Sequence, residues 1–385
     1  MRNVMSWTKT TLSIFLITTI LFVSVDFTLT AFNLYPKGGK PALQSDYTSI
    51  YQGTELRKSH NIYHHGFSSK HYGTHVWSIK LYEVCTDQHS FKISCSNFSN
   101  ETEKNFDIAF IGDSFTEAVG MEYEDSFVGM FAADNPELDV ANLGVSSYGP
   151  SIYYAKLKYL IANGYKFNHI FIFIDISDIQ DEAKYLYKNG RVQDYKANKW
   201  ENVKNNDSHD LVEDDFYHGL SKHLELTAVL YAIIKHRDIR AVRYEIPARI
   251  TRGEWTYNDA SLAYGPIGVT GAIQKSLNMM EKTYELLSEN DIKMSIGVYP
   301  WPNQIFSDSL IKNRQSSIWK DFCKNKCEYF FDLFADYSLL VNSSSPSAVY
   351  SKYYILGDVH FNKAGNKLVY EKIKRTLGEG LAPAD

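Results

Sequence analysis

The stretch Ile108–Gly120 reads IAFIGDSFTEAVG. Its apolar run, Ile108-Ala109-Phe110-Ile111, stops at Gly112-Asp113-Ser114, and a helix-compatible segment follows. A strand buried on both faces of a parallel sheet reads this way: continuous apolar, a tight glycine turn, then a helix N-terminus. In open α/β sheets ligands gather beyond the carboxyl ends of the strands, and Ser114 stands at such an end. Its hydroxyl can be presented at that rim, facing the positive pole of the helix, or it can be an N-cap. The local pattern weighs the two readings equally.

The far end of the chain separates them. Tyr354–Asn366 reads YILGDVHFNKAGN, with Asp358 and His360 two residues apart. In an extended stretch, residues i and i+2 share a face. The carboxylate can then orient the imidazole, and the imidazole can deprotonate a serine. Ser114, His360 and Asp358 are the residue types of a nucleophilic triad. Asp332, after a later strand, is a second carboxylate candidate for His360, ranked below Asp358.

Outward from these two stretches, the other apolar runs are Asp139–Leu143 (DVANL), His169–Ile174 (HIFIFI), Ile292–Val298 (IKMSIGV) and Cys327–Phe331. Helical patterns lie between them at Tyr123–Ala133, Ile152–Ala162, Val269–Glu289 and Gly365–Leu377. Strands alternating with helices predict an α/β fold: a three-layer α/β/α sandwich around a five-stranded parallel sheet. Residues 181–265 break the rhythm as an insertion, with a helix expected at Leu220–His236. Residues 35–105 form a Tyr/His-rich N-terminal extension with a hairpin expected from Thr74–Val84 and Phe91–Ser94. The organisation is therefore an N-terminal segment 1–34, the extension 35–105, and a main domain 106–380.

Thr10–Val25 carries no charge, and Arg2 and Lys9 precede it. Such a run reads as a signal or signal-anchor. It falls a little short of the ~20 residues of a span; continuation past Asp26 supplies the length. Neither Ser24-Val25-Asp26 nor Thr30-Ala31-Phe32 fits a small-residue cleavage pattern, so an uncleaved transmembrane anchor is expected, with the remainder outside the cytoplasm. In an oxidising compartment the four cysteines are expected to pair locally, Cys85 with Cys95 and Cys323 with Cys327.

The formal net charge of −5 and the absence of a basic stripe speak against a nucleic-acid partner. No phosphate loop accompanies Asp175 and Asp178, and His64-His65 has no further ligand at metal spacing. Neither a metal nor a cofactor is expected. Trp301, in the Pro300–Gln304 turn, fits a sugar-stacking ring and a core residue equally.

GDSF near the start and DVHFN near the end, in that order, resemble the SGNH (GDSL-type) hydrolase superfamily. The resemblance spans about Asp107 to Leu377. It implies acyl transfer through a serine ester, with Ser114 as nucleophile, His360 as base and Asp358 as its orienter. It also implies an oxyanion hole, and here the sequence departs from the family. Ser147 stands where a glycine is usual, with Gly144 three residues earlier, and Ser177 replaces the usual asparagine. A backbone N–H survives a Gly→Ser exchange, whereas a hydroxyl is a shorter and freely rotating donor. The Asp-x-His spacing is similar to that of envelope polysaccharide O-acetyltransferases. That likeness implies acylated carbohydrate or a small ester as substrate and a membrane-bound acyltransferase as partner. A catalytically reduced glycan-binding or assembly protein is the alternative, motivated by the altered oxyanion blocks.

Overall fold

A computed structural model describes residues 2–32, 56–77, 80–101, 103–195, 223–224, 227, 252–306, 313–356 and 358–378. The helix expected at Leu220–His236, and most of the insertion with it, lies outside them. The strands are β1 (Arg57–His60), β2 (His64–Phe67), β3 (Tyr72–Trp77), β4 (Lys80–Thr86), β5 (Lys92–Ile93), β6 (Asn105–Gly112), β7 (Val140–Asn142), β8 (Lys166–Ile174), β9 (Tyr185–Lys188), β10 (Arg191–Asp194), β11 (Lys293–Val298) and β12 (Phe330–Asp332).

The sheet corrects the five-stranded parallel expectation: it is mixed and eight-stranded, in the order β12-β11-β8-β6-β7-β5-β4-β3. The parallel ladders run from β12 to β7 and comprise the apolar runs read from the sequence. The other three strands come from the N-terminal extension. β5 joins β7 antiparallel through Lys92 and Asn142, and β4 and β3 follow it antiparallel. The extension thereby covers the β7 edge, which would otherwise present unpaired backbone groups. The single strand expected over Thr74–Val84 is a hairpin, β3 with β4.

Along the parallel part the chain steps from β6 to β7, then back across β6 to β8 and onward to β11 and β12. Right-handed crossovers then put the connecting helices on opposite faces. Pro150–Ala162, Asp178–Lys184 and Gly268–Ser288 pack together on one side; Phe127–Asp134 and Lys363–Leu377 pack together on the other. The direction of winding reverses between β6 and β8, and ligands bind at such a switch point. Aromatic rings fill the interior there: Phe110, Phe127, Phe173, Tyr299 and Phe331 are all fully buried.

Both expected disulfides are present, Cys85–Cys95 and Cys323–Cys327. The N-terminal helix, Arg2–Ala31, contains a stretch Ser13–Ala31 of mean hydropathy 2.0 that is long and apolar enough to cross a membrane. Its Asp26 is buried and accepts a hydrogen bond from the Thr227 backbone N–H at 2.7 Å.

Candidate active site

β6 delivers Ser114. At Gly112 a Cβ would meet Thr116 Oγ1 at 2.1 Å and the Phe173 carbonyl oxygen at 2.7 Å, so only glycine lets the strand turn here. Asp113 is the N-cap of the helix Ser114–Glu117, accepting from the Phe115 N–H at 3.0 Å. Ser114 is therefore the first helical residue and not the cap. The helix ends after one turn, with Ala118 in the left-handed region at φ 57°.

His360 arrives from the loop between Tyr354 and Phe361, which form an isolated bridge. His360 Nε2 lies 2.8 Å from Ser114 Oγ, and His360 Nδ1 lies 2.8 Å from Asp358 Oδ1. The three residues are buried together. The segment carrying Asp358 and His360 is a bend, not the extended stretch expected. Asp358 Oδ1 also accepts from the N–H groups of Val359 and His360, and this turn brings the carboxylate back onto the ring. Asp332 is committed elsewhere, to Ser316 Oγ and the Phe334 N–H.

Beneath Ser114 lie Asp113, Asp175 and Asp178, whose carboxylate oxygens fall within 4.8 Å of one another. Asp175 accepts from Ser177 Oγ at 2.7 Å, from the Ile176 N–H and from the Trp301 indole; Asp178 accepts from Tyr153 Oη at 2.6 Å. Burial pushes the Asp113 carboxyl well above the usual range, and the neighbouring Asp175 adds to it. Burial likewise raises Asp175 and Asp178. Protein donors already occupy much of the cluster: Ser177 Oγ, the Ile176 N–H and the Trp301 indole on Asp175, and Tyr153 Oη on Asp178. Asp113 Oδ2 is also 3.1 Å from Ser114 Oγ.

The three residues expected at the oxyanion hole differ in their placement. Ser147 is exposed and left-handed, φ 61°. Its carbonyl accepts from Tyr185 Oη at 2.6 Å, and its N–H has no acceptor among the described residues. Gly144 packs against the helix Ser114–Glu117 so closely that a Cβ would meet the Glu117 nitrogen at 2.6 Å. Its N–H, however, donates to Asn142 Oδ1 at 2.9 Å. The Ser177 hydroxyl donates to Asp175, which diverts it from the oxyanion role expected of it. The Ser114 N–H has no acceptor among the described residues.

Several supporting residues were not anticipated, and they come from the N-terminal extension. The Trp77 indole N–H donates to Asp358 Oδ2. Lys92 Nζ donates to the carbonyl oxygens of Glu117, Ala118 and Met121 at 2.9, 3.1 and 2.8 Å. Arg57 Nη2 bonds Glu117 Oε1 at 2.6 Å, and Glu117 Oε2 accepts from the N–H and Oγ of Ser146 at 2.7 and 2.8 Å. His65 is half-buried, with Nε2 at 2.8 Å from the Ser146 carbonyl oxygen. Trp301 is a core residue, 2% exposed, with its indole on Asp175.

No family model and no curated protein matches the chain. Among solved structures, the chain is similar to Axe2, an acetylxylan esterase from Geobacillus stearothermophilus, at 12% identity over 73% of this chain and 97% of that one, with TM-score 0.40. It is similar to a lipolytic protein of the G-D-S-L family from Desulfitobacterium hafniense at 12% identity, over 71% of this chain and 100% of that one, with TM-score 0.37. A member of the same lipolytic family from Veillonella parvula is 12% identical over 69% of this chain and 94% of its own, with TM-score 0.37.

Proposed function

We propose that the protein is an SGNH-type serine hydrolase or O-acyltransferase that works on ester bonds through an acyl-enzyme. The hydrogen-bonded chain from Ser114 Oγ through His360 to Asp358 carries this reading. His360 Nε2 takes the Ser114 proton as Oγ attacks the acyl carbonyl carbon, while Asp358 fixes the imidazole through Nδ1. The N–H groups of Ser114 and Ser147 stabilise the developing oxyanion. His360 then protonates the leaving alcohol. A second nucleophile, deprotonated in turn by His360, releases the acyl group: water in an esterase, a sugar hydroxyl in a transferase.

Loss of one oxyanion donor costs about 10²–10³ in turnover. With the Ser177 hydroxyl on Asp175, slow hydrolysis of generic esters is the expectation. The same observation favours the second reading, a catalytically reduced glycan-binding or assembly protein. Acylated envelope glycan is the proposed substrate class, and a membrane-bound acyltransferase the proposed partner. The N-terminal helix is proposed as an uncleaved anchor holding the site outside the cytoplasm. Two disulfides support an oxidising compartment.

The test is labelling of the intact protein with a fluorophosphonate probe, followed by turnover of acetyl esters and acetylated glycans with and without a sugar acceptor. Labelling that disappears in Ser114→Ala supports the enzyme; a folded native chain that stays unlabelled supports the second reading. Resistance to alkaline carbonate extraction, with an intact N-terminus by mass spectrometry, is expected for the anchor; a mature N-terminus near Asp26 or Phe32 refutes it.

A further inference from the structure

We infer that Trp77 is a positioning residue of the Ser114–His360–Asp358 array, holding the second oxygen of Asp358 so that the first can orient His360. The inference rests on the serine-hydrolase reading above. Asp358 Oδ1 takes the His360 Nδ1–H and the N–H groups of Val359 and His360. These donors all lie within two residues of the carboxylate, so they fix it only as firmly as their own loop. Oδ2 accepts from a residue 281 positions earlier in the chain, on a different element of the fold.

The chemistry of that donor matters. An indole N–H donates but cannot accept or ionise. An arginine at this place would neutralise Asp358 and weaken its hold on the imidazolium. A hydroxyl would rotate. Trp77 is 5% exposed, stands edge-to-face against the His360 ring at 5.1 Å and 85°, and packs over Gly120, where a Cβ would lie 3.0 Å from the indole. β3 brings it there, the β4 ladder holds β3, and the Cys85–Cys95 disulfide ties β4 to the segment after β5. The alternative is that Trp77 only fills space.

The test replaces Trp77 with 3-benzothienylalanine, which keeps the shape and puts sulfur in place of the N–H, alongside Trp77→Phe. Both variants should unfold thermally within a few degrees of the native chain. Ester kcat should fall roughly 10- to 100-fold with KM unchanged, the scale of one hydrogen bond to a buried charge. The acid limb of the pH profile should move to higher pH, because a carboxylate deprived of a donor holds the proton on the imidazole more tightly. The NMR resonance of the His360 Nδ1 proton should shift in the benzothienyl variant, a readout that needs no turnover. A benzothienyl variant with native kcat, or one with reduced kcat but an unmoved acid limb and an unshifted proton resonance, overturns the inference. A native chain that the fluorophosphonate fails to label refutes the hydrolase reading instead; the proton resonance still decides whether Trp77 holds Asp358.

Discussion

Replacing Arg57 with methionine tests whether the N-terminal extension braces the active site. Glu117 closes the helix that begins at Ser114, with its side chain 3% exposed, and Arg57 is its cationic partner. Burial alone would raise the Glu117 carboxyl, but the Arg57 guanidinium, through charge and hydrogen bond, holds it below its usual range, with Lys92 adding to this. Arg57→Met keeps the stem and removes the charge. It leaves Glu117 buried with only the Ser146 donors and the more distant ammonium. Breaking a buried pair from one side costs about 3–5 kcal/mol. The pH dependence has a definite sign. In the native chain the depressed carboxyl contributes stability above about pH 4.5, lost as pH falls. In Arg57→Met the carboxyl rises above its unfolded value, so the folded state binds more protons and stability falls as pH climbs. The gap between native and variant should therefore be larger at about pH 7.5 than at about pH 5. Arg57→Met/Glu117→Gln should recover most of the loss, because an amide needs no counter-charge. Urea unfolding followed by tryptophan fluorescence measures all three. A loss under about 1 kcal/mol at the higher pH, or a gap of equal size at both, refutes the reasoning.

Ser114→Ala and His360→Ala should each abolish ester turnover with little change in thermal midpoint, and the double variant should be hardly worse than either, since such residues act as a unit; additive losses would count against the triad. Asp358→Asn should lower kcat by up to about 10⁴ through loss of the orienting carboxylate, whereas Asp332→Asn should leave it unchanged, because Asp332 serves Ser316 and Phe334. Lys156 is buried with Nζ on the Leu143 carbonyl oxygen at 2.8 Å, and burial pushes its ammonium down to about 7. The unfolded lysine keeps its proton to about pH 10, so native stability should gain up to about 1.4 kcal/mol per pH unit from this group between about pH 7 and 10. Lys156→Met lacks that gain; urea titrations of both proteins at about pH 7.5 and 9.5 should show the difference, and a pH-independent gap would refute it.

The apolar strands were legible because a strand covered on both faces has no polar positions to obscure it. Phe110, Ile111, Phe171, Phe173, Ile296 and Phe331 announce burial by composition alone. The three antiparallel strands were not legible as part of that sheet. β5 is two residues long and meets β7 at one pair, Lys92 with Asn142, fifty positions apart in the chain. Nothing local marks such a pairing. Ser114, His360 and Asp358 were legible as residue types in a suggestive order, yet the turn that joins Asp358 to His360 was not: i and i+2 on an extended face and an Asx-type bend leave the same sequence trace. Ser177 illustrates a different limit. Its hydroxyl could serve substrate or Asp175, and only the position of the buried carboxyls decides.

The supporting residues belong to the least legible class, and their origin bears on what the fold needs. The helix Ser114–Glu117 is a single turn, far below the length at which helices hold themselves together. It persists because both ends are clamped. Asp113 caps the front. At the back, Lys92 takes three carbonyl oxygens and Arg57 takes Glu117. Glu117 in turn grips Ser146, next to the left-handed Ser147, and His65 holds the Ser146 carbonyl from the other side. Strain of the kind seen at Ser147 survives only where the surroundings over-determine it. Arg57, His65, Trp77 and Lys92 all precede β6. A chain beginning at β6 would keep Ser114, His360 and Asp358 while losing the donors that hold the Ser114 turn, the Ser147 loop and the Asp358 carboxylate in register.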